Sequence, residues 1–190
     1  MRCITCQNLS FVIICKTCQN NLLESSFHKR ELEKDFFVYS FYPYDDLKEF
    51  LNTKYEFYGD RIFNILADLS FKKFADNFEF TTKVSAIPID DHTRHEFSQT
   101  AILANKLKSK NIIPVFNTLK ATKIVKYAGK DLEFRKKNRR EFNYTGDKNI
   151  QVILVDDLVT TGSTILEAKE VLEKNGCEVL FALTICDARV

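Results

Sequence analysis

The sequence predicts an α/β fold in which a parallel sheet is flanked by helices and follows a small cysteine-rich module. Two observations carry this prediction. From residue 36 onward, short apolar runs alternate with stretches of helical spacing, a pattern typical of parallel strands that are connected by helices. Near the N-terminus, two Cys-x-x-Cys pairs have the spacing of a metal-binding module. We therefore divide the chain into residues 1–35 and 36–190.

The composition supports a folded protein without a membrane span. Of the 190 residues, 45% are hydrophobic and 28% are charged, so the chain can bury a core. The formal net charge is only +2, and any affinity for nucleic acid must therefore come from a local patch. The longest apolar run near the N-terminus, residues 11–14, is far shorter than the ~20 residues that cross a bilayer. We expect neither a signal peptide nor a transmembrane segment.

The cysteine pairs predict a structural zinc site. Each pair allows one tight turn to aim two thiols at a single ion, and two such turns supply the tetrahedral four-sulfur set that suits Zn²⁺. A redox Cys-x-x-Cys is the weaker alternative, because no βαβ pattern surrounds the pairs. Four thiolates leave no open coordination position, so we expect no zinc catalysis. The predicted ligands are Cys3, Cys6, Cys15 and Cys18.

Between the cysteines and residue 117, the pattern predicts a linker followed by alternating strands and helices. The linker is the polar stretch 20–35. Aromatic or β-branched runs predict strands at 36–44, 84–89 and 111–117. Apolar residues at helical spacing predict helices at 45–52, 60–74 and 97–107.

The C-terminal part predicts one βαβ unit, with a strand at 149–155, a helix at 164–175 and a strand at 177–185. Thr164 and Glu167 have the spacing of a capping box, and Gly176 fits the position just after the helix. Ligands in such folds bind where strands end and helices begin.

The segment ILVDDLVTTGST, residues 153–164, occupies that place and predicts a ribose 5-phosphate site. Backbone amides at the helix start bind anions, and Gly162 lets the main chain approach closely. Asp156 and Asp157 would repel a phosphate unless they bound another part of the same ligand, and a ribose diol supplies suitable hydroxyls. A capped helix after solvated aspartates is the structural alternative. Further hydroxyl donors come from Thr160, Thr161, Ser163 and Thr164.

Residues 152–164 resemble the phosphoribosyl pyrophosphate (PRPP) binding motif of type I phosphoribosyltransferases. The resemblance implies a fold of that type, with Asp156 and Asp157 on the ribose hydroxyls and residues 160–164 on the 5-phosphate. It also implies Mg²⁺ on the pyrophosphate and ribose oxygens of PRPP. It implies no catalytic residue on this chain.

Together with the cysteine pairs, this motif resembles the ComF family of competence proteins over nearly the whole chain. KYEFYGD, residues 54–60, is similar to that family's lysine–aromatic–glycine–aspartate segment. Pro88 followed by Arg94 and Phe97 is similar to its arginine-rich segment, and Arg135-x-x-Asn138 to its later basic segment.

Residues 119–140 are dense in Lys and Arg and predict a mobile loop with a short helix. Three roles remain open for this segment: closing over pyrophosphate, following a DNA backbone with Tyr127 and Phe134 stacking on bases, or forming an ordinary solvated surface. The candidate cations for pyrophosphate or DNA are Arg94, Arg135, Lys136, Lys137, Arg139 and Arg140.

The ComF resemblance implies a PRPP-binding, single-stranded-DNA-binding protein of DNA uptake in natural transformation. It would act in the cytoplasm or peripherally at the inner membrane, beside a DNA-uptake helicase or a recombination protein. The alternative is a catalytic phosphoribosyltransferase of nucleotide metabolism, whose hood over the acceptor would come from residues 36–59. Whether PRPP is turned over stays open at this stage.

Overall fold

The computed structural model describes residues 1–90, 92–93, 97–123 and 139–190. Its strands are β1 (His28–Glu33), β2 (Phe36–Pro43), β3 (Val84–Pro88), β4 (Ile112–Pro114), β5 (Leu119–Ala121), β6 (Phe142–Tyr144), β7 (Gln151–Val159) and β8 (Glu178–Asp187). Its α-helices are α1 (Lys16–Leu22), α2 (Tyr44–Asn52), α3 (Gly59–Leu69), α4 (Phe71–Asn77), α5 (Gln99–Lys106) and α6 (Ser163–Lys174). A 3₁₀ helix, Thr53–Tyr55, joins α2 to α3.

The main sheet has six strands in the order β1-β2-β8-β7-β3-β4, and only the β1–β2 pair is antiparallel. A separate hairpin is formed by β5 and β6. Helix α6 connects β7 to the adjacent parallel strand β8, which confirms the predicted βαβ unit. The predicted α/β fold with a mostly parallel sheet and flanking helices is therefore correct.

Alternating side chains of β7 supply both faces of the sheet. Ile153 and Val155 lie in the apolar cluster that contains α3 and α5, whereas Val152 and Leu154 lie in the cluster that contains α6. All four side chains are fully buried, as expected for a central strand covered on both faces. This packing fixes where the end of β7 lies relative to α6.

Two predicted elements differ from the structure. The stretch 20–35 is not a linker throughout, because it contains β1, whose charged side chains alternate between half-buried and exposed positions at the edge of the sheet. The predicted helix 60–74 is interrupted at Ser70, whose hydroxyl donates to the Leu66 carbonyl, and continues as α4. The other predicted strands and helices before residue 118 are confirmed, with bounds that shift by a few residues.

The cysteine-rich module packs directly against the main core. Cys3, Ile14, Cys18 and Leu23 belong to the same apolar cluster as Leu47 of α2. The boundary at residue 35 stays a prediction. Among the described residues, no helix combines the length and apolar character that crossing a membrane requires.

Candidate functional site

The acid pair lies within β7 rather than after it. The parallel ladder with β8 continues from Asp156 to Val159, so the prediction that the strand ends at Val155 was wrong. The strand continues because β8 is equally long and supplies partners up to Asp187. Asp157 is buried, while Asp156 is half-buried and its Oδ1 accepts the Asp157 amide at 2.9 Å.

Lys54 reaches this pair from the opposite half of the chain. Its ammonium donates to Asp157 Oδ2 at 3.0 Å. Lys54 lies in the 3₁₀ helix between α2 and α3, which brings the N-terminal half to the end of β7. The similarity of residues 54–60 to a family segment marked this lysine in the sequence, but no spacing rule linked it to an aspartate.

The two carboxyls have opposite pKa shifts. Burial, and then the neighbouring Asp157 charge, raise the pKa of Asp156 to about 8, although Arg140 acts in the other direction. Burial also acts to raise the pKa of Asp157, but the charge and hydrogen bond of Lys54 outweigh it and lower that pKa below its usual value. These directions make Asp156 the carboxyl of the pair that more readily holds a proton.

The loop after β7 places Gly162 immediately before α6. Gly162 has φ +83°, and an added Cβ would lie 2.7 Å from Leu32 Cδ2. The position thus requires glycine for both its backbone torsion and its close contact with β1. Ser163 and Thr164 begin the 12-residue helix α6, and the Ser163 amide donates to Thr161 Oγ1 at 3.4 Å. Amides at a helix start can bind an anion, and the anion site at this loop stays a prediction.

Arg30 of β1 fixes the start of this loop. One guanidinium nitrogen donates to the Thr160 carbonyl at 3.0 Å, and the other lies 2.9 Å from the buried Asp187 carboxylate. No sequence pattern marks this role, because Arg30 falls in the stretch 20–35, whose charged composition predicts a linker.

The capping box predicted at the start of α6 was wrong. Among the described contacts, the helix begins after Gly162 without a side-chain cap. Glu167 is buried and instead accepts the amides of Arg140 and Glu141 at 3.2 and 2.8 Å. Gly176, however, has φ +85° just after the helix, as predicted.

The candidate cations fall into three groups. Arg140 lies 3.4 Å from Asp90, which follows β3, and its charge acts on Asp156. Arg139 pairs with α6 at Glu170, 2.6 Å away. The remaining candidates lie outside the described residues; they are Arg94, Arg135, Lys136 and Lys137.

Comparison with known proteins identifies the C-terminal half. Residues 100–190 match the family model described as the phosphoribosyl transferase domain, and they include β7, the loop and α6. The matched region covers just under half of the chain. Asp156, Asp157 and the loop 160–164 all lie within it, so the predicted PRPP motif falls inside the matched region.

Two known proteins are similar to parts of this chain. Orotate phosphoribosyltransferase of Methanopyrus kandleri is 36% identical over 66 residues, which cover 32% of this chain and 36% of the relative. The structure of Leishmania donovani UMP synthase is similar with 17% identity and a TM-score of 0.41, over 90% of this chain and 31% of that one. This chain spans about a third of the length of each relative.

The carboxyl groups near the end of β7 are oxygen donors of the kind that suits Mg²⁺. Mg²⁺ is a hard ion that takes carboxylate, phosphate and water oxygens. Asp90 lies 3.4 Å from Arg140, whose charge also acts on Asp156, and the Asp157 amide donates to Asp156 Oδ1 at 2.9 Å. Because Mg²⁺ keeps several of its waters, these carboxyl groups would accept hydrogen bonds from that water, while the oxygens of the ligand itself would bind the ion directly.

The four-cysteine cluster, Cys3, Cys6, Cys15 and Cys18, is assembled as predicted. All four sulfur atoms lie within 4.8 Å of one another. Tetrahedral zinc with Zn–S bonds of about 2.3 Å requires sulfurs about 3.8 Å apart, so the donor set and its spacing fit Zn²⁺. The Cys15 amide donates to Cys3 Sγ at 3.3 Å, and this contact, with the Cys6 amide, lowers the pKa of Cys3 to about 6. A thiol that readily becomes a thiolate suits a metal ligand.

Proposed function

We propose that the protein binds PRPP with Mg²⁺ at the carboxyl end of β7. The observation that carries this proposal is the short distance along the chain between the acid pair and the glycine loop at the start of α6. Asp156 and Asp157 take the ribose hydroxyls, and the amides and hydroxyls of residues 160–164 take the 5-phosphate. The matched phosphoribosyltransferase domain supports the same assignment.

The protonation of the acid pair suits a diol. Neutral Asp156 can donate one hydrogen bond and accept another, whereas ionised Asp157 only accepts. Lys54 balances the remaining charge at 3.0 Å, so the pair presents little net charge to an anionic ligand. Arg140, whose charge acts on Asp156, would supply a cation to the pyrophosphate. Bound Mg²⁺ would neutralise part of the pyrophosphate charge.

Titration calorimetry with PRPP, with and without Mg²⁺, tests the site. The double variant Asp156→Ala/Asp157→Ala should lose the binding heat, whereas Asp68→Ala, which removes an exposed carboxylate on α3, should keep it. Circular dichroism of each variant verifies that it is folded. Full affinity in the folded double variant would place the ribose elsewhere.

We also propose that this PRPP-binding protein handles single-stranded DNA in the cytoplasm during natural transformation, together with a helicase or a recombination protein. The ComF resemblance and the Lys- and Arg-rich segment 119–140 support this role. Fluorescence anisotropy with a labelled single-stranded oligonucleotide tests it. Absence of binding at low salt, where phosphate contacts are strongest, would remove the proposal.

Phosphoribosyl transfer is the second candidate, and the similarity to an orotate phosphoribosyltransferase favours it. In that reaction an acceptor atom bonds to C1 of the ribose while the C1–O bond breaks, and pyrophosphate leaves with the electron pair. The acceptor's proton passes to solvent. Release of pyrophosphate from PRPP is measured with a panel of nucleobases to test this candidate. If no nucleobase causes release, the protein would bind PRPP without turning it over.

A further inference from the structure

Strand β1 contacts the loop after β7 at two points. The Arg30 guanidinium donates to the Thr160 carbonyl at 3.0 Å. Two residues further along the strand, Leu32 lies so close to Gly162 that an added Cβ there would be 2.7 Å from Leu32 Cδ2. Arg30 and Leu32 lie on the same face of β1, because successive side chains of a strand alternate between its two faces. One face of β1 therefore meets both the first and the third residue of the loop 160–164.

The buried Asp187 carboxylate holds the Arg30 side chain in place. Its Oδ1 lies 2.9 Å from Arg30 Nη1, and the Asp187 side chain is 1% exposed while that of Arg30 is 16% exposed. Asp187 is in turn fixed at the end of β8, where it pairs with Val159 in the parallel ladder. The next amide, that of Ala188, donates to the Val159 carbonyl at 2.9 Å. Arg30 thus connects the end of β8 to the start of the loop.

This connection uses two different nitrogens of one guanidinium. Nη1 faces Asp187, whereas Nη2 donates to Thr160. A guanidinium is planar and presents its donors in a fixed fork, so it can hold two acceptors at once in a set geometry. A lysine ammonium is a single point charge on a flexible stem. Because hydrogen bonds between ionised groups are about twice as strong as neutral ones, a lysine at position 30 would pair with Asp187 and release Thr160.

We propose that Arg30 is a positioning residue that holds the loop 160–164 in the conformation that takes the 5-phosphate of PRPP. This inference rests on the proposed PRPP binding and adds a residue that controls the affinity through the Thr160 backbone. A loop that is already fixed binds more tightly, because ordering a mobile loop during binding costs free energy. Strand β1 lies outside residues 100–190, so this support comes from a part of the chain that the family model does not match.

The variant Arg30→Lys tests this role without removing the charge. It should keep the ion pair with Asp187, so its melting temperature should stay within about 4 °C of that of the unaltered protein. In titration calorimetry, PRPP with Mg²⁺ should nevertheless bind about 5- to 30-fold more weakly, because the contact with the loop is lost. The matched control is Lys29→Met, which removes a cation from the exposed face of the same strand and should bind PRPP within about twofold of the unaltered protein.

Two fragments of PRPP show whether the effect acts through the loop. Ribose 5-phosphate carries the phosphate that is assigned to the loop 160–164, whereas pyrophosphate with Mg²⁺ carries only the group that the loop does not take. Arg30→Lys should bind ribose 5-phosphate more weakly by the same factor as PRPP, and pyrophosphate within about twofold of the unaltered protein. The double variant Arg30→Met/Asp187→Asn, which leaves no buried charge unpaired, should show the same selectivity.

Calorimetry with the unaltered protein separates this inference from the function on which it rests. If PRPP does not bind the unaltered protein, the proposed function fails and the role of Arg30 fails with it. If PRPP binds the unaltered protein and Arg30→Lys equally well, the PRPP site stands and the role of Arg30 is wrong. An equal loss of ribose 5-phosphate and pyrophosphate would also overturn the inference, because Arg30 would then support the whole fold rather than the loop.

Discussion

Replacing Lys54 with methionine should lower the free energy of unfolding by about 2 kcal/mol. The ammonium lies 3.0 Å from Asp157 Oδ2, and at an effective dielectric constant of about 20 the attraction between two such charges is about 5 kcal/mol. Desolvation of both groups offsets much of this attraction. Removing one partner of a fully buried pair costs about 3–5 kcal/mol, and we lower that range because a quarter of the Lys54 side chain is exposed.

A double-mutant cycle isolates this interaction. Urea unfolding at pH 7 is measured for Lys54→Met, Asp157→Asn and the combined variant, and the coupling energy should be about 2 kcal/mol. In thermal scans, the Lys54→Met variant should melt about 4–8 °C lower. The control cycle uses Lys106 and Asp68, which form a more exposed pair at 2.8 Å and should couple by less than about 1 kcal/mol.

Equal coupling energies in the two cycles would refute the reasoning, because burial would then add nothing to the Lys54 contact. Such a result would also remove the explanation for the lowered pKa of Asp157. The Asp157 single variant serves as a second check. It leaves Lys54 free to reach solvent, so it should be less damaging than Lys54→Met.

Three further predictions concern protonation, the loop and the metal. Burial raises the pKa of Asp156 to about 8, so the folded state binds more protons than the unfolded state between about pH 4 and 8, and stability should fall as pH rises through this window. The variant Asp156→Asn should make the melting temperature less dependent on pH in this range. An unchanged pH profile of the melting temperature would contradict the shift. Gly162→Ala should lower the free energy of unfolding by about 1–2 kcal/mol and weaken PRPP binding, because φ is +83° and the new Cβ would lie 2.7 Å from Leu32 Cδ2. Wild-type values in calorimetry and urea unfolding would show that the loop tolerates a side chain. Atomic emission should find one zinc per chain. A chelator should lower the melting temperature, because the four-cysteine cluster packs on the main core. A metal-free protein of equal stability would contradict this prediction.

The part of the site that lies on one stretch of chain could be predicted from the sequence. The acid pair, the glycine and the hydroxyls occur within residues 153–164, and the alternation around them predicts a strand and a helix. The four cysteines were equally visible because ligand spacing is a local property. In both cases the prediction of a ligand rests on the chemistry of each residue and its distance along the chain.

Contacts between distant residues could not be predicted in this way. Lys54 is 103 positions from Asp157, and Arg30 is 130 positions from Thr160. Periodicity shows which face of an element is apolar, but it does not show which polar side chains of two elements meet. The role of Arg30 could also not be recognised in the sequence, because a charged edge strand has the same composition as a linker.

The proposed PRPP site places an acid pair beside a loop that would bind an anion. Two ionised aspartates would oppose a ligand that carries a phosphate and a pyrophosphate. Burial keeps the proton on Asp156, and Lys54 balances the charge of Asp157, so the pair offers hydrogen-bonding oxygens with little net charge. In the proposed PRPP site, the N-terminal half of the chain would therefore supply the cation that balances Asp157. On this reasoning Lys54→Met should weaken PRPP binding even where the variant remains folded, because the full charge of Asp157 would then face the phosphates.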